Sequence, residues 1–208
     1  MKKKEDKSGP VGFPIVVTAP SGTGKTSICR AVASQMRNVS YSVSLTTRKP
    51  RKGERNGRDY LFVTEERFRR LAASGQLAEW AGVYGSYYGT PKKRLEDTLK
   101  EGRSVLLALD HNGGESIRKK YSDAVLVYLL PPSLRELERR LRGRRTDSDS
   151  SVKKRLDSAR RELRFAGRYD YLVVNRKLDR TVSVLKSIIV AEGHKRERFG
   201  KAFLPAET

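Results

Sequence analysis

Apolar residues along this chain gather into short, nearly unbroken runs separated by stretches of helical periodicity. Residues 13–19, 104–110 and 124–130 are such runs, as expected of parallel strands buried on both faces. Residues 171–175 read as the last strand and 41–45 as a short one. Helical pattern fills the intervals, beginning with residues 25–35. Thr64, followed by Glu65 and Glu66, opens a helix whose Phe68 and Leu71 face inward. Thr90 and Pro91 read as the N-cap and first-turn proline of another helix, which Gly102 closes. Ser133-Leu134-Arg135-Glu136 is a capping box, with Leu137 and Leu141 on one face. Alternating strands and helices predict an α/β fold: a three-layer parallel sheet covered by helices on both faces. Residues 44–91, rich in Gly, Tyr and Thr, break the alternation and predict a small mixed α+β insertion. The polar stretch 143–151 has no apolar anchor and predicts a flap, while 1–11 and 198–208 read as solvated tails.

Composition narrows the class. A chain of 208 residues makes one domain of ordinary size with a substantial core. The single cysteine, Cys29, permits no intramolecular disulfide, which fits a reducing compartment. Lys2, Lys3 and Lys4 could be mistaken for the start of a signal peptide. The apolar stretch after them is short and broken by Gly12 and Pro14, so a cytoplasmic protein is expected. No run approaches the ~18 apolar residues of a membrane span. The net charge is +21, from 45 Lys and Arg against 24 Asp and Glu. Such an excess suits a polyphosphate ligand or nucleic acid, and charge alone does not separate them. Nor does the sequence decide between a monomer and a homodimer.

The chemistry begins where the first strand ends. Ala19-Pro20-Ser21-Gly22-Thr23-Gly24-Lys25-Thr26, followed by Ser27, has the makeup of a phosphate-binding loop between a strand and a helix. Gly22 and Gly24 let successive N–H groups turn inward on an anion. Lys25 can reach the β/γ-phosphates of a nucleotide, and the Thr26 hydroxyl can sit on Mg²⁺. Ala19 stands where the motif usually has its first glycine.

A second constellation follows. Ser44-Leu45-Thr46-Thr47-Arg48-Lys49-Pro50-Arg51-Lys52-Gly53-Glu54, then Gly57-Arg58-Asp59-Tyr60, resembles the nucleoside-monophosphate site of the guanylate kinases. Glu79, Tyr87-Tyr88-Gly89-Thr90, Arg140-Leu141-Arg142-Gly143-Arg144, Lys154-Arg155-Leu156 and Tyr169-Asp170-Tyr171-Leu172-Val173-Val174-Asn175 continue the match in order, over about residues 13–197. The resemblance implies an ATP:GMP phosphotransferase, with dGMP as a second acceptor. It implies that Arg48, Arg51, Tyr60 and Tyr88 hold the acceptor phosphate. Ser44, Glu79, Gly89, Thr90 and Asp110 would then line the guanine. Lys25, Arg140, Arg144 and Arg155 would neutralise the charge moving during transfer, and Asn175 would edge the adenine. It also implies a core of residues 12–43, 92–140 and 161–197, a GMP-binding insertion at 44–91 and a lid at 141–160.

The residue chemistry agrees. Guanidinium forks and phenol hydroxyls suit a dianionic phosphate. One carboxylate can accept from both N1–H and the 2-amino group of guanine, which adenine cannot offer. The match breaks at Ala108, where relatives commonly carry a carboxylate, at Asn112 where they carry glutamine, and at Arg176 where an acidic residue is common. Ala108 motivates a second reading, a guanylate-kinase-like binding module with weakened catalysis. A third is a related sugar-phosphate kinase, against which Ser44, Glu79 and Asp110 argue. Nucleic-acid binding rests on charge alone and predicts steep salt dependence.

Overall fold

The computed structural model describes residues 11–83, 85–143 and 149–199. Five parallel strands form the core sheet: β1 (Pro14–Thr18), β2 (Val39–Tyr41), β7 (Ser104–Ala108), β8 (Val125–Leu130) and β9 (Tyr171–Val174). They lie in the order β2-β7-β1-β8-β9. The two-residue period of a strand divides β1 between two cores. Ile15 and Val17 pack with Ile28 and Val32 of α1 (Lys25–Gln35) and with Val182, Leu185 and Ile189 of α7 (Leu178–Gly193). Val16 faces the other side, with Leu95 of α3 (Lys92–Lys100) and Ile117 of α4 (His111–Lys120). Three layers result, and the helices that follow β1 and β7 lie on opposite faces. Their diverging paths open a crevice beyond the carboxyl ends of those two strands, where ligands of such sheets bind.

A second sheet, in the order β4-β3-β6-β5, is built from β3 (Leu45–Thr46), β4 (Leu61–Phe62), β5 (Leu77–Val83) and β6 (Ser86–Pro91). Only β3 and β4 run parallel; β3 with β6 and β5 with β6 are antiparallel. Its small core is Leu45, Phe68 and Leu77, with Phe68 supplied by α2 (Glu65–Ala73). A fourth apolar cluster, Leu137, Leu141, Val152 and Ala159, joins α5 (Leu134–Arg142) to α6 (Asp149–Glu162).

Several expectations need correction. The strand expected at 41–45 is two strands in two sheets: Val39–Tyr41 pairs with β7, and Leu45–Thr46 pairs with β4 and β6. Thr90 lies in β6 and Pro91 takes the N-cap of α3, because the Thr90 hydroxyl is engaged elsewhere. The alternation implies a helix between β7 and β8, but nothing in the sequence marks the bounds of α4, since Gly113 and Gly114 fall in its first turn and a half. Of the expected flap, residues 144–148 lie outside the described residues, and Asp149 already begins α6. Val11 and Arg198 are not tail residues. The Val11 N–H donates to the Arg198 carbonyl, and the Arg198 guanidinium covers the Phe13 ring at 3.6 Å. Among the described residues no helix is long and apolar enough to cross a membrane.

Candidate active site

The phosphate loop leaves β1 at Thr18 and turns sharply, with Gly22 and Gly24 both at φ +94°. A side chain at either would be strained, and a Cβ on Gly22 would stand 2.7 Å from Leu141 of α5. Gly24 caps α1 without a side-chain acceptor. The first N–H groups of the helix are therefore left to meet an anion. Lys25 donates its Nζ to the Leu109 carbonyl at 2.6 Å, just past the end of β7. Burial pushes the Lys25 ammonium below its ordinary pKa, and Asp110 opposes that most strongly. Thr26 is half-buried and Ser27 exposed on the same turn.

Two helices close over the loop. Arg155, on α6, donates to the Ser21 hydroxyl at 2.6 Å. Arg140, on α5, donates to Glu136 at 2.8 Å and to the Asn175 carbonyl at 3.1 Å. Arg144 lies outside the described residues. Asn175 is buried, and its side chain is already committed. Nδ2 donates to the Thr23 carbonyl at 2.6 Å, while Oδ1 accepts from the Thr181 hydroxyl at 3.0 Å. A cleft of about 290 Å³ runs beside the loop between Gly22, Ser27, Arg140, Asn175, Arg176 and Leu178.

Across the crevice the smaller sheet brings a second set together. Arg48 donates through Nη2 to both Glu54 oxygens at 2.8 and 3.0 Å, and Glu54 also accepts from the Arg51 N–H at 2.7 Å. The Arg48 guanidinium stands 5.3 Å from the Tyr60 ring, and Tyr60 meets Tyr88 edge-on at 5.9 Å. Glu54 holds its carboxyl below the ordinary range because Arg48 and the Arg51 N–H outweigh its partial burial. Sequence reasoning gave Glu54 no role, although it sits three residues after Arg51, where a tight turn brings its side chain back. Ser44 precedes β3 and is fixed through its carbonyl, which accepts from Leu61 N–H at 2.9 Å.

Deeper in the crevice, Glu79 of β5 is only 4 % exposed. The Thr90 hydroxyl donates to its Oε1 at 2.6 Å, with β5 and β6 setting the two side chains opposite each other. Gly89 is buried beside them, and a Cβ there would come within 3.1 Å of the Glu79 carbonyl. Burial, with Asp110 nearby adding repulsion, pushes the Glu79 carboxyl up to about 7. Asp110 caps α4, its Oδ1 accepting from Gly113 N–H at 2.8 Å. Gly113 faces both carboxylates: a Cβ there would stand 2.8 Å from Glu79 Oε2 and 3.1 Å from Asp110 Oδ1. This glycine was missed as a site residue; a Gly-Gly pair inside a helix was the available signal. Ala108 ends β7 and packs its methyl against the apolar core, so no carboxylate stands there.

Among the described residues no group of three or more His, Cys, Asp or Glu side chains could hold a metal by itself. A divalent cation held only by Thr26 and the phosphates of a nucleotide fits that donor set. Mg²⁺ commonly keeps waters and relies on substrate phosphates.

Comparison with known proteins gives a consistent result. The family model described as guanylate kinase matches residues 12–192. A guanylate kinase of Syntrophotalea carbinolica is 46 % identical over 187 residues, covering 90 % of this chain and 89 % of that protein. One of Symbiobacterium thermophilum is 43 % identical over 195 residues, covering 94 % and 92 %. The crystal structure of guanylate kinase from Anaplasma phagocytophilum superposes with a TM-score of 0.79 at 34 % identity, covering 93 % of this chain and 92 % of that one.

Proposed function

Since the chain belongs to the guanylate kinase family and transfers the γ-phosphoryl group of ATP to GMP, giving ADP and GDP, we propose that Arg48, Arg51, Tyr60 and Tyr88 clamp the GMP phosphate while Glu79 reads its base. The single observation that carries the assignment of the acceptor pocket is the burial of Glu79, oriented by Thr90 against the bare backbone of Gly113. A carboxylate so far from water costs stability unless a ligand donates to it. Guanine does so twice, through N1–H and the 2-amino group, and Asp110 and Ser44 border the same pocket. dGMP, which differs only at the sugar, is accepted as well.

ATP lies with its phosphates in the loop from Ala19 to Ser27. Their charge is met by the free N–H groups of α1 and by Lys25, which swings from the Leu109 carbonyl onto the β/γ-phosphates. Thr26 would hold Mg²⁺ together with the nucleotide phosphates, and the ion would supply charge neutralisation there. Arg155 and Arg140 approach from α6 and α5, so that guanidinium groups meet the charge on the transferring phosphoryl. The acceptor phosphate is already an anion, so positioning and electrostatics suffice without a strong base. Closing α5 and α6 over both nucleotides excludes water and limits hydrolysis.

The test is ADP release with GMP, AMP, UMP and ribose 5-phosphate as acceptors. GMP is expected to be preferred, and Glu79→Gln is expected to lower kcat/KM for GMP about 100-fold, as loss of hydrogen bonds to a charged acceptor does. Equal use of AMP, or an unchanged Glu79→Gln enzyme, sinks the assignment.

A further inference from the structure

The cleft beside the phosphate loop has a one-sided stock of hydrogen-bonding groups. Four of its acceptor oxygens already take a hydrogen bond from within. The Asn175 Oδ1 takes the Thr181 hydroxyl, the Thr23 carbonyl takes Asn175 Nδ2, and the Asn175 and Arg176 carbonyls lie 3.1 and 3.5 Å from Arg140 Nη2. Its surplus is in donors. Arg176 is exposed on the cleft wall and makes no ion pair among the described residues, whereas the Arg140 guanidinium is already held by Glu136 and the Asn175 carbonyl. The remaining lining is neutral: Ser27 can donate or accept, and Leu178, 47 % exposed, offers an apolar face to a flat ring. Adenine presents an N6 amino donor beside N7, whereas guanine presents two acceptors, O6 and N7, the pair an arginine fork meets best.

We infer that this cleft takes the base of a 6-oxopurine triphosphate, with Arg176 as the specificity-determining residue, so that the chain uses GTP as well as ATP to phosphorylate its acceptor. The inference rests on the proposed reading of the cleft as the donor-nucleotide site. The added reaction is GTP + GMP ⇌ 2 GDP. The bond from the γ-phosphorus to the β,γ-bridging oxygen breaks, and the bridging oxygen keeps the electron pair. A bond from that phosphorus to a GMP phosphate oxygen forms, and nothing is oxidised or reduced.

The experiment uses the full chain with Mg²⁺, γ-labelled donor and dGMP as acceptor, so that labelled dGDP is distinct from unlabelled GDP. ATP, GTP and ITP are compared; ITP shares O6 and N7 but lacks the 2-amino group. GTP and ITP are expected within about thirtyfold of ATP in kcat/KM, and Arg176→Ala is expected to lower the GTP-to-ATP ratio about tenfold or more, as loss of one bidentate contact does. GTP or ITP falling below that range, or a GTP-to-ATP ratio unmoved by Arg176→Ala, overturns the inference. Absence of transfer from ATP itself would instead overturn the underlying assignment of the cleft, so the two failures are distinguishable.

Discussion

Glu79 concentrates the acid–base behaviour of the acceptor pocket. Its carboxyl is raised to about 7 by burial first, against the Thr90 hydrogen bond, with Asp110 adding repulsion and Lys120 relieving some of it. A folded pKa above the unfolded value means that the folded state holds the extra proton between about 4.5 and 7. This group's contribution to stability is therefore full below the unfolded pKa and lost as pH rises through 7. In the proposed pocket GMP needs the ionised form of Glu79, so its binding near neutral pH is expected to expel a proton. The apparent KM for GMP should rise as pH falls below 7, approaching about tenfold per unit. Glu79→Gln should remove that part of the slope, leaving only the titration of the GMP phosphate. Calorimetry in two buffers of different ionisation enthalpy reads the released proton directly; identical heats in both would contradict the raised carboxyl.

At the scale of elements, the end of β9 matters as much as the loop it faces. Asn175 ties the Thr23 carbonyl, 152 residues before it in the chain, to the Thr181 hydroxyl of α7. Asn175→Ala takes the partner from the buried Thr23 carbonyl, while the Thr181 hydroxyl keeps the Lys177 carbonyl at 2.9 Å; one such unpaired group costs about 1–3 kcal/mol. At this chain length that lowers Tm by about 2–4 °C per kcal/mol. If the freed loop is the ATP site as proposed, KM for ATP should rise while KM for GMP stays within about twofold, a split that general destabilisation would not produce. Steady-state kinetics at fixed saturating GMP checks it. Sequence alone exposed the loop and helix α1, whose glycines, lysine and periodicity are local. It also exposed the caps at Thr64 and Ser133, which accept from Arg67 and Glu136 N–H as expected. The passage between sheets at Ser42 to Ser44 was hidden. Val39, Tyr41, Val43 and Leu45 keep one alternation while the partner strands change, and periodicity carries no record of the partner. The bounds of helix α4 were hidden for the opposite reason. Glycine disfavours helix by about 1 kcal/mol per residue relative to alanine, yet Gly113 is needed where Glu79 and Asp110 approach its backbone.

For the whole molecule, the question is what connects the two sheets that hold the two nucleotides. Arg30 leaves α1 of the core and reaches the loop before β4, donating to Asp59 at 2.7 Å and to the Arg58 carbonyl at 3.0 Å. Asp59 in turn gathers that loop, accepting from the Arg55 N–H and the Arg58 guanidinium, each at 2.8 Å. The Arg55 N–H first, and Arg30 next, hold the Asp59 carboxyl far below the usual carboxylate range. A depressed acid contributes stability above its unfolded pKa of 3.8 and loses it only as pH falls through the lower folded value, so this link is intact at neutral pH. The same loop carries Arg51 and leads into Tyr60, so a contact that helps join the sheets also shapes the proposed GMP phosphate clamp. Asp59→Asn keeps the shape but removes the charge that Arg30 and Arg58 share. It should raise KM for GMP by about tenfold, the scale of one lost charge-assisted hydrogen bond, and move KM for ATP much less. Arg30→Ala should reproduce the GMP effect with the loop's own Arg55 and Arg58 contacts intact, which separates joining the sheets from folding the loop. If Arg30→Ala leaves GMP binding untouched while Asp59→Asn impairs it, the core and the insertion are not coupled through this pair, and the loop alone accounts for the loss.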